Sequence, residues 1–171
     1  MSFPTGEPDA IRSSRPSADA RGFVLGPDAG DPYWWLGTLS LVKLHGRRTA
    51  GGLDIVEHRV SSGYSPPPHV HEAQDEVFYV IGGRFAVTCG DQQWTAGPGS
   101  LVFLPRGVPH GFTVDGDGGR TLLLNTPAGF ADLITDLGQP ATSLELPPPD
   151  LALPDPARIA AASQALGIHP A

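Results

Sequence analysis

The stretch Pro68-His69-Val70-His71, followed after Glu72-Ala73-Gln74-Asp75 by Glu76-Val77-Phe78-Tyr79-Val80, holds most of what the sequence says about fold and chemistry. Side chains two apart on an extended strand share a face, so both imidazoles project together if this segment is a strand. The same alternation turns Glu76, Phe78 and Val80 to one side. If that side is the inner one, a carboxylate enters an apolar interior, where it wants a cation or another partner. Farther on, Pro105-Arg106-Gly107-Val108-Pro109 is a turn-forming segment. In the strand expected after it, Val108, His110, Phe112 and Val114 share a face, which puts a third imidazole among apolar neighbours. Three neutral imidazoles and one carboxylate, from His69, His71, His110 and Glu76, suit one divalent transition metal ion. Such a donor set accepts Fe, Mn, Co, Ni, Cu or Zn, with one or two positions left for water or substrate. Open positions favour catalysis over a purely structural site.

Around this centre the chain is patterned as short strands. Runs rich in β-branched, aromatic and Leu residues occupy 33–44, 53–60, 77–81, 85–89, 100–104, 111–114 and 121–125, punctuated by Gly-Pro, Gly-Gly and Asp-Gly. With 22 Gly and 19 Pro among 171 residues, turns are frequent, and the expected class is all-β, a sandwich or barrel. After Asn125 the period changes. Phe130, Leu133, Ile134 and Leu137 form one stripe of a helix that Gly138 can close. Beyond Pro147-Pro148-Pro149, Asp155 as cap, Pro156 at the first helical position and Gly167 past the end mark a second short helix. The expected organisation is a flexible arm over 1–21, poor in large apolar residues, a barrel over 22–128, and a helical extension over 129–171 packed on the barrel or at a subunit contact.

Eleven basic against eighteen acidic residues give a formal charge of −7, and no basic run exceeds Arg47-Arg48, so nucleic acid and anionic membrane are poor partners. The single Cys89 excludes an internal disulfide and reads as a small core residue. No apolar run approaches the ~20 residues that span a bilayer, and a cytoplasmic protein is expected.

Other residues carry weaker signals. Trp34, Trp35, Tyr64, Phe78, Phe103 and Phe112 can wall a pocket for an aromatic substrate or simply fill a barrel core. His58 reads more readily as a surface or hydrogen-bonded histidine than as a pocket residue, His45 and His169 read as exposed, and Arg106 as a solvated charge.

These residues resemble the cupin superfamily. Its first motif, Gly-x5-His-x-His-x3-4-Glu-x6-Gly, is matched by Gly63, His69, His71, Glu76 and Gly83. Its second, Gly-x5-Pro-x-Gly-x2-His-x3-Asn, is matched by Gly99, Pro105, Gly107 and His110, with Val114 standing where the family often has Asn. Residues 84–98 form the short segment between motifs usual in small bacterial members. The resemblance implies a single jelly-roll β-barrel with the two helices at its C-terminal side. The string from Gly63 to Val80, and Pro127-Ala128-Gly129-Phe130, further resemble bacterial single-cupin proteins related to quercetin 2,3-dioxygenase. That likeness implies a metal-dependent dioxygenase acting on a small phenolic or enolic, flavonoid- or polyketide-like substrate. In it the ligating Glu76 also serves as the base, dioxygen is the second substrate, and the chain forms a homodimer. Other small cupins instead carry out non-oxidative cyclase, isomerase or lyase reactions, or bind a ligand without turnover, and the motifs do not separate these.

Overall fold

The structure is a computed structural model that describes residues 21–171, so the expected arm over 1–21 lies outside the described residues but for Arg21. The strands are β1 (Asp31–Trp35), β2 (Thr38–Leu44), β3 (Asp54–Val60), β4 (His69–His71), β5 (Asp75–Cys89), β6 (Gln92–Ala96), β7 (Leu101–Leu104) and β8 (His110–Thr126). Two of these differ from the expected runs in a way that makes the architecture. Segments 77–81 and 85–89 are one strand, as are 111–114 and 121–125, because β5 and β8 pair antiparallel along their whole length.

Both long strands bend together. Register irregularities fall between Val80 and Gly82 and between Gly82 and Arg84. At the bend Gly83 has φ +85°, and a Cβ there would lie 2.3 Å from the Gly118 carbonyl oxygen. Opposite it, a Cβ on Gly119 would lie 2.4 Å from the Phe85 ring. Only glycine permits that approach. The N-terminal half of β5 and the C-terminal half of β8 therefore sit in one layer with β1, β2, β3 and β7, and their other halves in a second layer with β4 and β6. The result is the expected all-β jelly-roll architecture, although the sheet does not close into a hydrogen-bonded ring. Convergence of the inner face comes from the shared, bent strands.

Period-2 alternation fills that face. Phe78, Val80, Phe85, Val87, Leu104, Val114 and Leu123 form one buried cluster, and Trp35, Val42 and Val56 belong to a second. The second cluster is completed by α1 (Phe130–Leu137), which buries Ala131, Leu133 and Ile134. Its start is held by a buried carboxylate on β3: the Gly129 and Ala131 amides donate to Asp54 Oδ2 at 2.7 and 3.0 Å. The second helix, α2 (Pro156–Ala165), begins as expected, with the Ala157 amide donating to the Asp155 side chain. It buries no residue fully but rests Ile159 and Ala162, with Leu166 just past its end, on the second cluster.

Three strands are not anticipated by the sequence pattern. β6 exposes all its residues except Ala96, so it shows no apolar alternation. The other two, β9 (Gln139–Pro140) and β10 (Ile168–Pro170), are very short and exist only through pairing with β1 and β4. Among the described residues no helix is long and apolar enough to cross a membrane.

Candidate metal centre

The four side chains singled out by spacing come together at the inner face. His69 and His71 lie on β4, Glu76 opens β5 and His110 opens β8, with His69 directly opposite His110 in the ladder. One ligand atom from each lies within 4.8 Å of the others. The three imidazole centroids form a triangle with sides of 5.0, 4.7 and 5.2 Å. His71 Nε2 stands 3.5 Å from Glu76 Oε2.

Backbone contacts fix how the rings present themselves. His69 Nδ1 donates to the Pro67 carbonyl at 3.0 Å and His110 Nδ1 to the Val108 carbonyl at 2.9 Å. A carbonyl can only accept, so in each ring Nδ1 holds the proton and Nε2 carries the free lone pair. This is the outer hydrogen bond that orients ligating histidines in metal sites. The segments carrying the ligands are also tied to each other. The Gly107 amide donates to the His71 carbonyl at 2.7 Å. Arg106, expected as a solvated charge, instead clamps Asp75: its amide and Nε donate to Oδ1 at 3.0 Å each, and its guanidinium reaches Oδ2 at 2.8 Å. That bidentate pair anchors the turn before His110 to the residue before Glu76.

Charge state follows from burial. Burial pushes the pKa of His71 down to about 3, with His69 and His110 adding to the effect. His69 and His110 are also lowered by burial, against the opposing pull of their carbonyl partners. Glu76 moves the other way, up to about 7, through burial and then the nearby Asp54 carboxylate. The cluster thus offers three neutral imidazoles and a carboxyl with no Lys or Arg beside it among the described residues. His71 Nδ1 and His110 Nε2 are buried without a hydrogen-bond partner. Buried polar atoms left unpaired are uncommon and costly. A divalent ion shared by these four side chains would satisfy the unpaired His110 nitrogen and the carboxylate together, and the donor set fits a transition metal.

His69, His71 and Glu76 stand in the wall of a cavity of about 520 Å³. Its other walls are mostly apolar, with Trp35, Tyr64, Phe112, Leu123 and Phe130 prominent, and α2 and β10 cover one side through Ile159 and Ile168. Of the six aromatic residues named from sequence, Trp35, Tyr64 and Phe112 therefore line this cavity. The other three do not. Phe78 is buried behind the lining, its ring 5.8 Å from that of Phe112 and 6.1 Å from that of Phe85. Phe103 turns to the outer face and is 54% exposed, because its neighbour Leu104 takes the inward position opposite Glu76. Trp34 likewise points away from its inward neighbour Trp35 and donates from Nε1 to the Glu145 carbonyl at 3.0 Å.

Two other histidines correct the sequence reading. His45, expected to be exposed, is buried beside Asp132, with Nε2 3.3 Å from Oδ1. His58, expected at the surface or hydrogen-bonded, is buried in the cavity wall, and its Nε2 has no partner. The signal for His58 was present: Val56 and Val60, two residues to either side, are buried on the same face. Phe130 also belongs to the cavity and was read only as part of a helix stripe.

A family model described as "Cupin domain" matches residues 56–126. Quercetin 2,3-dioxygenase of Bacillus subtilis (strain 168) is 25% identical over 126 residues, which is 74% of this chain and 37% of that enzyme. An uncharacterized protein of Streptomyces coelicolor is 40% identical over 63 residues, 37% of this chain and 57% of its own length. The chain thus spans well under two thirds of each of these curated relatives. Among solved structures, KdgF from Halomonas sp. aligns at TM-score 0.53 and 22% identity, over 58% of this chain and 91% of KdgF. An RmlC-like cupin from Shewanella frigidimarina aligns at TM-score 0.52 and 22% identity, over 63% of this chain and 92% of its own. At that identity both likenesses speak for the fold alone.

Proposed function

We propose that this chain, whose residues 56–126 form a cupin domain, is a metal-dependent dioxygenase acting on a small, mostly apolar molecule with a phenolic or enolic hydroxyl. The observation that carries this reading is the placement of His69, His71 and Glu76 together in the wall of a mostly apolar cavity. His69, His71, Glu76 and His110 would hold the ion, which supplies a Lewis acid for a substrate oxygen. Glu76 takes the proton from the hydroxyl. Without the ion, burial raises the carboxyl to about 7; a bound cation would favour its ionised form, the form that accepts a proton. Trp35, Tyr64, Phe112 and Phe130 face the rings of the substrate and exclude water from the anion left by proton removal. That anion is electron-rich, and it is the form that dioxygen attacks. Likeness over 126 residues to a quercetin 2,3-dioxygenase supports the oxidative reading.

The test begins with elemental analysis of protein purified without a polyhistidine tag, followed by oxygen-electrode assays against a panel of flavonols. One equivalent of transition metal per chain and oxygen uptake that disappears with chelation are expected. Conversion of a substrate without oxygen uptake would replace oxygenation by a non-oxidative reaction at the same site. Stoichiometric binding with no product would reduce the protein to a ligand carrier.

A further inference from the structure

β3 sends Val56, His58 and Val60 to the inner face, and His58 is the one polar side chain of the three. Ladder partners Ser40 and Thr121 flank it, and the Phe130 ring stands 5.8 Å away at 53°. The imidazole is 6% exposed, lines the same cavity as His69, His71 and Glu76, and leaves Nε2 without a partner. Burial is the sole cause that pushes its pKa down to about 4, so no charged neighbour claims it. A neutral imidazole offers one donor and one acceptor, and burying Nε2 unused costs stability that a leucine in the same place would not. His58 has no part in the ligand cluster. Glu76 is level with Asn125 and Val80 with Thr121, which itself pairs with His58, so the two backbone positions are offset by four residues along β8. Four residues are on the order of 13 Å of strand.

We propose that His58 is a specificity-determining residue that hydrogen-bonds a second oxygen of the substrate, remote from the oxygen presented to His69, His71 and Glu76. The substrate is then an extended molecule of two or more rings, apolar along its length, with one hydroxyl at the ligand cluster and another hydroxyl or carbonyl at His58. This rests on the reading of the cavity as a site for a phenol or enol and narrows its substrate class.

The test compares two probes on the full chain loaded with metal: quercetin, which bears remote ring hydroxyls, and 3-hydroxyflavone, which has the same hydroxy-ketone and lacks them. Binding is read by quenching of tryptophan fluorescence, since Trp35 lines the cavity. Wild type is expected to bind quercetin roughly tenfold more tightly than 3-hydroxyflavone, the ratio given by one good hydrogen bond. His58→Leu should erase that ratio, and His58→Gln should restore most of it. A merely structural role would instead weaken both probes alike and shift the unfolding temperature with them. Retention of the full ratio in His58→Leu, or no ratio in wild type, overturns the proposal. Metal content and oxygen uptake with 3-hydroxyflavone are measured on the same samples. If both persist in His58→Leu, the metal reading stands whatever becomes of His58; if wild type holds no metal, that reading falls while the binding ratio still judges His58.

Discussion

Glu57 and Glu76 are both almost fully buried glutamates in the same layer of sheet, one facing outward and the other inward. Three cations surround Glu57. Lys43 Nζ approaches Oε2 at 3.1 Å, and Arg59 and Arg120 each donate from Nε to Oε1 at 2.8 Å. Burial raises its pKa, but the hydrogen bonds from Arg120, Arg59 and Lys43 outweigh that and hold it below the usual carboxylate range. Among the described residues Glu76 has no Lys or Arg beside it, and burial lifts it to about 7. A buried carboxylate whose charge is already matched does structural work, here fastening strands β2, β3 and β8 beneath the segment at Pro27. One left unmatched beside three neutral imidazoles is prepared for something absent from the chain itself.

The widest separation between the two should appear in metal affinity. Glu76→Ala and His110→Ala each remove a donor from the cluster and are expected to weaken binding roughly a thousandfold, about 4 kcal/mol. Glu57→Ala should leave metal affinity unchanged. Competition against a coloured chelator measures all three. Undiminished metal content in both Glu76→Ala and His110→Ala would sink the centre.

pH should split the pair in sign. In metal-free protein the folded pKa of Glu76 lies above its unfolded value near 4.5, so the folded state keeps a proton that the unfolded chain has released between about pH 4.5 and 7. Its contribution to stability is whole below that window and is lost as pH rises through it. Glutamine never ionises, so Glu76→Gln should gain on wild type across the window, reaching on the order of 3 kcal/mol at pH 7.5. Glu57, lowered on folding, contributes above its unfolded value and loses that contribution as pH falls through its folded one. Urea unfolding at pH 5 and 7.5 with chelator present reads the Glu76 effect, and a pH-independent difference between Glu76→Gln and wild type would remove the basis for calling Glu76 unmatched.

The same contrast explains what could be read from sequence. The grouping of His69, His71, Glu76 and His110 was legible because His69 and His71 are two apart on one strand, and the turn before His110 has a recognisable composition. The layout of the two layers was less so, since the joining of 77–81 to 85–89 depends on Gly83 meeting Gly118 across the bend, a contact between distant segments. Glu57 gave only a partial signal: Arg59 lies two residues on along the same strand, but Lys43 and Arg120 come from two other strands. Phe103 and Trp34 were misplaced for a related reason: in Trp34-Trp35 and Phe103-Leu104 both neighbours are large and apolar, so alternation alone does not say which one faces in.

A third measurement asks how much the matched carboxylate is worth to the fold. Removing one side of a buried ion pair typically costs about 3–5 kcal/mol, because the other charge is left stranded. Around Glu57 the cations keep partial access to water, with side-chain exposures of 13%, 22% and 33% for Lys43, Arg59 and Arg120. Glu57→Gln is therefore expected to cost about 2 kcal/mol in urea unfolding at pH 7 and nothing in metal affinity. A loss of metal in this variant would show that the two faces are coupled through β3 and β8.

The smallest effect expected is at Lys43, and it tests whether the Glu57 cluster is a sum or a unit. Lys43 Nζ reaches Glu57 and also donates to the carbonyls of Pro27 and Ala29 at 2.7 and 2.6 Å, so it pins the chain before β1 to the outer face. In Lys43→Met, Arg59 and Arg120 still hold Oε1, and the freed carbonyl of Pro27 keeps a contact to Arg120 at 3.2 Å. If contributions simply add, the loss is about 1 kcal/mol or less, with faster proteolysis near Ala29 and no change at the metal centre. A cost equal to that of Glu57→Gln would mean that two arginines cannot hold the carboxylate alone. In that case the cluster fails as a whole when any member leaves, and the outer face owes its order to three cations acting together.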